Sequence, residues 1–202
     1  MENTGQEKED HMNLNLGCGN KIYRNFTNVD KNIPESLTEE QSKYFVKHDL
    51  EIFPWPFETN SISTVQATHI LEHLGKEFNT YLNILKEIYR ICTHNAEIKI
   101  TVPHPRHNWF INDPTHVRII TPEGLELFSK KSNKEWIKQG YSNSTFGLDF
   151  DIDFELVNYS EDLDPTWEFK QRLLSKDDLI FAKSSYNNVI CQYNIILKVI
   201  KE

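Results

Sequence analysis

The sequence predicts an α/β sandwich built on a mostly parallel sheet. Three observations carry that expectation. Short apolar and β-branched segments alternate with segments of helical period through the first two thirds of the chain. A glycine pair, Gly17 and Gly19, follows the first of these segments directly, as where a strand turns sharply at a sheet edge. Two more strand candidates, 154–159 and 189–199, close the chain.

The elements follow in order. Asn13-Leu14-Asn15-Leu16 is the first strand, stopped by Gly17-Cys18-Gly19. Residues 27–30 give the second. Residues 34–44 read as a helix, with Ser36 or Thr38 as N-cap and acidic residues in the first turn. A third strand falls within 44–50, and Pro54-Trp55-Pro56 breaks any regular element after it. Residues 62–68 are the fourth strand. The clearest helix is 76–92, where Phe78, Tyr81, Leu82, Leu85, Ile88, Tyr89 and Cys92 recur at spacings of three and four. Thr93-His94-Asn95 turns out of it into a fifth strand at 98–102, closed by Pro103. Thr121 suits an N-cap and Pro122 the first helical position. Between the last two strands, 163–186 is polar and partly helical, a natural lid. The sum is a seven-stranded, mostly parallel sheet with an antiparallel C-terminal strand.

The 202 residues suit one domain, 12–202, behind a charged 1–11 segment that reads as a disordered tail rather than a signal peptide. The formal net charge is -8, from 30 acidic and 22 basic residues, which argues against nucleic acid as a partner. Three cysteines, Cys18, Cys92 and Cys191, make no disulfide framework. No apolar run approaches the roughly 18 residues of a membrane helix. The expectation is a cytoplasmic protein without membrane contact.

Glycines after the first strand let a ligand approach the main chain. Asp30 ends the next strand, so a parallel sheet sets its carboxylate beside that loop, where it can accept hydrogen bonds from ribose hydroxyls. The bland reading is a plain strand and turn. Asn20-Lys21-Ile22 supplies no third glycine for a dinucleotide loop, and no Gly-Lys-Ser/Thr follows for a phosphate loop. The loop suits a nucleoside without a pyrophosphate.

Residues 14–30, then His48-Asp49-Leu50, then Thr68-His69-Ile70-Leu71-Glu72-His73-Leu74, resemble the successive signatures of class I, Rossmann-like S-adenosylmethionine-dependent methyltransferases. More narrowly they are similar to the small bacterial methyltransferase-11-like branch. The resemblance covers about residues 12–128 and implies a three-layer sandwich. It implies that Gly17, Cys18 and Gly19 wrap the methionine part and sugar of the cofactor, that Asp30 holds the ribose, and that Asp49 and the Leu50 main chain meet the adenine. His69 would stand near the methionine moiety or the acceptor. The chain departs from the family at Thr93-His94-Asn95-Ala96, where relatives carry a Lys-Pro-Gly-Gly-like turn. It also has little room between Gly19 and Thr27 for the usual first helix.

The 103–118 segment holds His104, His107, Asp113, His116 and two arginines at the carboxyl edge of the sheet. Its Asp-x-Thr-His-x-Arg part also resembles a segment of such methyltransferases. Three readings stand. His116 or His107 is a general base. Alternatively His104, His107, Asp113 and His116 bind a metal. In the third, the polar side chains tie the loop together, with Trp109 and Phe110 packed inward. His73 reads as a capping or packing residue, and Cys18 as chosen for small size. Trp55, Trp109, Trp136 and Trp167 suit the core, or Trp109 and Trp167 an acceptor pocket.

The resemblance implies O- or N-methylation of a small molecule, with S-adenosylhomocysteine as product, His69, His107 and His116 as candidate bases, and no required metal. An Asn/Asp-Pro-Pro-Tyr-like motif of amino-methylating DNA enzymes is absent after the fourth strand. A metal-dependent enzyme using the histidine loop, and a non-catalytic cofactor-binding or partner module, are the alternatives. Neither the acceptor nor the oligomeric state is encoded legibly.

Overall fold

The computed structural model describes residues 12–201; the 1–11 segment, and with it the expected tail, lies outside the described residues. The strands are β1 Met12–Leu16, β2 Thr27–Asp30, β3 Phe45–Lys47, β4 Ile62–Thr68, β5 Cys92–Pro103, β6 Phe154–Leu163 and β7 Ile190–Val199. They form one seven-stranded sheet in the order β3-β2-β1-β4-β5-β7-β6. β1 to β5 pair in parallel, and β7 runs antiparallel to both β5 and β6. The sheet and its antiparallel last strand are as the sequence predicts.

The helices are α1 Glu39–Ser42, α2 Phe78–Ile91, α3 Asn108–Ile111, α4 Pro122–Glu126, α5 Lys130–Gln139, α6 Phe146–Asp149, α7 Pro165–Lys170 and α8 Lys176–Ser185; a 3-10 turn spans Leu71–His73. The crossover through α1 leads outward from β1 on one side, that through α2 on the other. Since such crossovers are right-handed, the two helices lie on opposite faces of the sheet. None of the described helices is long and apolar enough to cross a membrane.

Two elements differ from the sequence reading. The helix expected over 34–44 contracts to α1, where Thr38 and Gln41 form a reciprocal capping box that fixes its start. The third strand falls within 44–50 as expected, and is three residues long. The turn expected at 93–95 is instead absorbed into β5. The register jumps from Ile62↔Cys92 to Thr64↔Glu97, and Asn95 takes φ 65°, so the extra residues bulge out of a strand that starts at Cys92.

One face of the sheet is apolar. Leu14 and Leu16, Val65 and Ala67, Ile98 and Ile100, and Ile195 and Leu197 are all buried there. Onto this core α2 sets Tyr81, Leu82, Ile84, Leu85, Ile88 and Ile91. The alternate residues make a polar row, Asn28, Asn15, Gln66 and Lys99, by register. Over β1 and β2 the 20–26 loop covers it. There Asn15 donates to the Lys21 carbonyl and to Asn28 Oδ1, and Asn28 donates to the carbonyls of Tyr23 and Phe26. A loop pinned by two buried asparagines thus stands where a first helix is missing.

Candidate functional site

The strand order reverses between β1 and β4, and ligands of open α/β sheets bind outside the carboxyl ends of the strands at such a point. Gly17 leaves β1 with φ 60°, the left-handed region. A side chain there would meet Ile70 Cγ1 at 2.3 Å. Glycine therefore both turns the chain and lets Ile70 pack against it. Cys18 N–H donates to the Val29 carbonyl, which holds the loop on β2.

Asp30 is pinned in place by the main chain. Its Oδ2 accepts from Gly19 N–H and its Oδ1 from Asn32 N–H, both at 2.9 Å. A carboxylate has about four acceptor sites, so half its capacity is left for a ligand's hydroxyls. Asp49 Oδ1 accepts from Glu51 N–H, and the Leu50 carbonyl accepts from the buried Trp55 indole. Gly17, Asp30, Asp49 and Leu50 line one cleft of about 370 Å³, the scale of a small-ligand site. Ile70, His73, Leu74 and Thr115 form walls that the sequence reading did not assign to the cofactor.

The other expected cofactor residues do not line this cleft. Gly19 acts through its N–H on Asp30. Cys18 is buried, and burial, then the Asp30 charge, raises its thiol pKa to about 11, so it is a small neutral filler. His69 takes φ 52° just after β4, and its Nδ1 lies 3.4 Å from Glu72 Oε1.

The histidine loop separates into three environments. His104 is buried, its ring tilted against that of Tyr193 with centroids 5.0 Å apart, and its Nδ1 accepts from Arg106 N–H. Burial, followed by the Arg106 charge, lowers its pKa. His107 caps α3: Nδ1 accepts from Trp109 N–H, and Nε2 pairs with Asp164 Oδ2 at 3.2 Å. Both ring nitrogens are engaged and the ring is 4% exposed, so His107 is a structural tie and not a base. His116 turns the other way, with Nδ1 on the Phe110 carbonyl at 2.9 Å.

The expected metal set is corrected accordingly. No three of His104, His107, Asp113 and His116 bring ligand atoms together; among the described residues the group that does is Glu72, His73 and His116. The aromatic expectations are corrected as well. Trp109 is 53% exposed because the α3 cap directs it outward, and only Trp55 of the four tryptophans is buried. The signal for the missed residues lies in Leu71-Glu72-His73 and Asp113-Pro114-Thr115-His116. These two short segments meet in space through Val117 N–H on the Glu72 carbonyl and His73 Nδ1 on Thr115 Oγ1.

A S-adenosylmethionine-dependent methyltransferase from Archaeoglobus fulgidus superposes with a TM-score of 0.52 over 94% of this chain and 87% of its own, at 19% identity. One from Methanosarcina mazei gives 0.52 over 97% and 95%, at 14% identity. The chain has the class I methyltransferase fold. A [4+2]-cyclase, SpnF, is also similar, with a TM-score of 0.51 over 95% of this chain and 76% of its own at 14% identity. The methyltransferase fold therefore does not by itself fix the reaction. No protein-family model and no curated protein matches the sequence.

Proposed function

We propose that this chain binds S-adenosylmethionine in the cleft at the β1/β4 switch point and transfers its methyl group to an oxygen or nitrogen of a small molecule. The observation that carries the reading is Asp30, a carboxylate fixed by two backbone N–H groups at the end of β2 and open to a cleft of about 370 Å³. The fit is specific in kind. A Cβ at Gly17 has no room, and the loop supplies no phosphate cradle. Asp30 would hold the ribose, and Asp49 with the Leu50 main chain the adenine. When bound, the cofactor supplies a methyl group on a positively charged sulfonium, whose transfer breaks the S–C bond and leaves S-adenosylhomocysteine.

The chain's own task is then to orient the acceptor and exclude water. An acceptor that carries a proton needs a base. His107 has no nitrogen to offer. His69, half-exposed at the end of β4, is the base in this reading, with His116 the second candidate. The net charge of -8 disfavours a polyanionic acceptor. The other expected readings rank lower, because the dispersed histidine loop offers no four-residue metal site and the cleft is open for a ligand.

Incubation with methyl-labelled cofactor and a panel of small alcohols, phenols and amines tests the proposal. Label should pass to a small molecule and the transfer should be lost in Asp30→Ala. For whichever acceptor is found, His69→Ala should lower kcat by roughly 10²–10⁴-fold with a smaller change in KM. Label transferred only to protein or nucleic acid, or to nothing, contradicts the small-molecule reading.

A further inference from the structure

Glu72 is 1% exposed and neither of its carboxylate oxygens makes a hydrogen bond; the His69 ring stands beside it, Nδ1 3.4 Å from Oε1, without making one. A buried carboxylate left that way is costly and calls for a partner. A ring nitrogen of His73, a ring nitrogen of His116 and a Glu72 oxygen lie within 4.8 Å of one another, with the two rings edge to face at 4.5 Å.

The hydrogen bonds around the two rings fix which nitrogen of each carries the proton when the ring is neutral. Thr115 has a single hydroxyl hydrogen. Asp113 Oδ1, which only accepts, stands 2.6 Å from Thr115 Oγ1 and also receives Thr115 N–H at 2.8 Å. The hydroxyl hydrogen therefore goes to Asp113. His73 Nδ1, 2.9 Å from Thr115 Oγ1, must then be the donor to that oxygen. His116 Nδ1 donates to the Phe110 carbonyl, which can only accept. Each neutral ring has one N–H, and in both it is committed at Nδ1. Nε2 of each ring then carries a lone pair; Asp113 Oδ2, 3.7 Å from His116 Nε2, is beyond hydrogen-bond reach. Two imidazole rings, each with a free lone pair, and a buried carboxylate thus stand together, with a nitrogen of each ring and a carboxylate oxygen within 4.8 Å of one another. Imidazole N–H groups directed at a carbonyl and a carboxylate-linked hydroxyl are the arrangement that orients histidines toward a metal. Arg118, the nearest guanidinium in sequence, is committed to the Gly75 carbonyl and the Tyr81 ring.

We propose that Glu72, His73 and His116 bind a divalent transition-metal ion of the zinc class. Two imidazoles and one carboxylate suit zinc rather than calcium or magnesium, which take mostly oxygen ligands. Three protein ligands leave a coordination position open. His73 also lines the cleft, so the ion stands at the wall of the proposed cofactor site.

The test uses the untagged full chain, stripped with chelator, and zinc chloride alone. Calorimetry should give one-to-one binding, and cobalt(II) in its place should show the absorption of a low-coordinate nitrogen and oxygen site. Glu72→Gln and His116→Ala should each weaken zinc binding by more than the roughly 10–100-fold that loss of an outer partner costs. Zinc should raise the Tm of the wild type and of neither variant. Stripped Glu72→Gln keeps the shape of the side chain and removes a buried charge, and it should unfold in one cooperative transition like the stripped wild type, so its failure to bind would not reflect misfolding. Absence of stoichiometric zinc, or binding that survives either substitution, overturns the proposal. Neither cofactor nor acceptor enters the measurement, so its failure is distinct from failure of the methyltransferase reading.

Discussion

At the scale of single residues, the site depends on a few positions whose identity is dictated by space or by protons. Gly17 is the clearest. Its φ of 60° and the 2.3 Å approach to Ile70 leave no room for a methyl group. Gly17→Ala should destabilise the chain by about 1–3 kcal/mol in urea unfolding, the range of a strained backbone conformation, and weaken cofactor binding because Ile70 lines the same cleft. His104 sets a pH dependence. Its folded pKa lies below its ordinary 6.5, burial being the main cause. Between those two values the unfolded chain binds more protons, so stability rises with pH. The contribution is complete above about pH 6.5 and is lost as pH falls through the folded value. His104→Asn should flatten the dependence of Tm on pH below 6.5; an unchanged slope would refute the assignment. The glycine pair and Asp30 were legible in the sequence because their chemistry is local. The Glu72 cluster was not, because its members lie on two segments that only the fold brings together, and His73 alone reads as packing.

At the scale of elements, legibility followed apolar periodicity. The 76–92 stripe marks α2 within two residues at each end, since that face is buried against the sheet. The α5 helix carries no such stripe. The one buried residue it contributes is Asn133, which donates to the Leu127 carbonyl and accepts from Leu148 N–H. A helix docked by a polar residue leaves no hydrophobic signal to read. The 163–186 region was expected as a partly helical lid. In the structure it is tied to the histidine loop, since Asp164 caps α7 through Thr166 N–H and also pairs with His107, while Arg106 donates to the Lys183 and Ser184 carbonyls. Asp164→Ala removes a cap and the partner of a buried histidine together. It should cost about 1–2 kcal/mol and raise amide exchange in both α3 and α7. Faster exchange confined to α7 would contradict a mechanical link between the two.

At the scale of the whole molecule, sheet order decides what the chain can do. The order β3-β2-β1-β4-β5-β7-β6 brings the loop after β1, the acid that ends β2 and the turn after β4 to one edge. Along β1, β4, β5 and β7 the apolar residues alternate, so one face of that sheet forms the core. The polar alternate row did not announce that a pinned loop would replace the first helix, because Asn15 and Asn28 act only as a pair across strands. In the function proposed above, the edge cleft is a nucleoside site organised by Asp30. Calorimetric titration with S-adenosylhomocysteine, beside Asp30→Ala, tests it most directly. One-to-one binding that the substitution weakens by roughly 10–100-fold is the predicted result, the loss of about 1.5–3 kcal/mol expected for hydrogen bonds to a charged group. Absence of binding at millimolar ligand, or equal affinity in the variant, would contradict it.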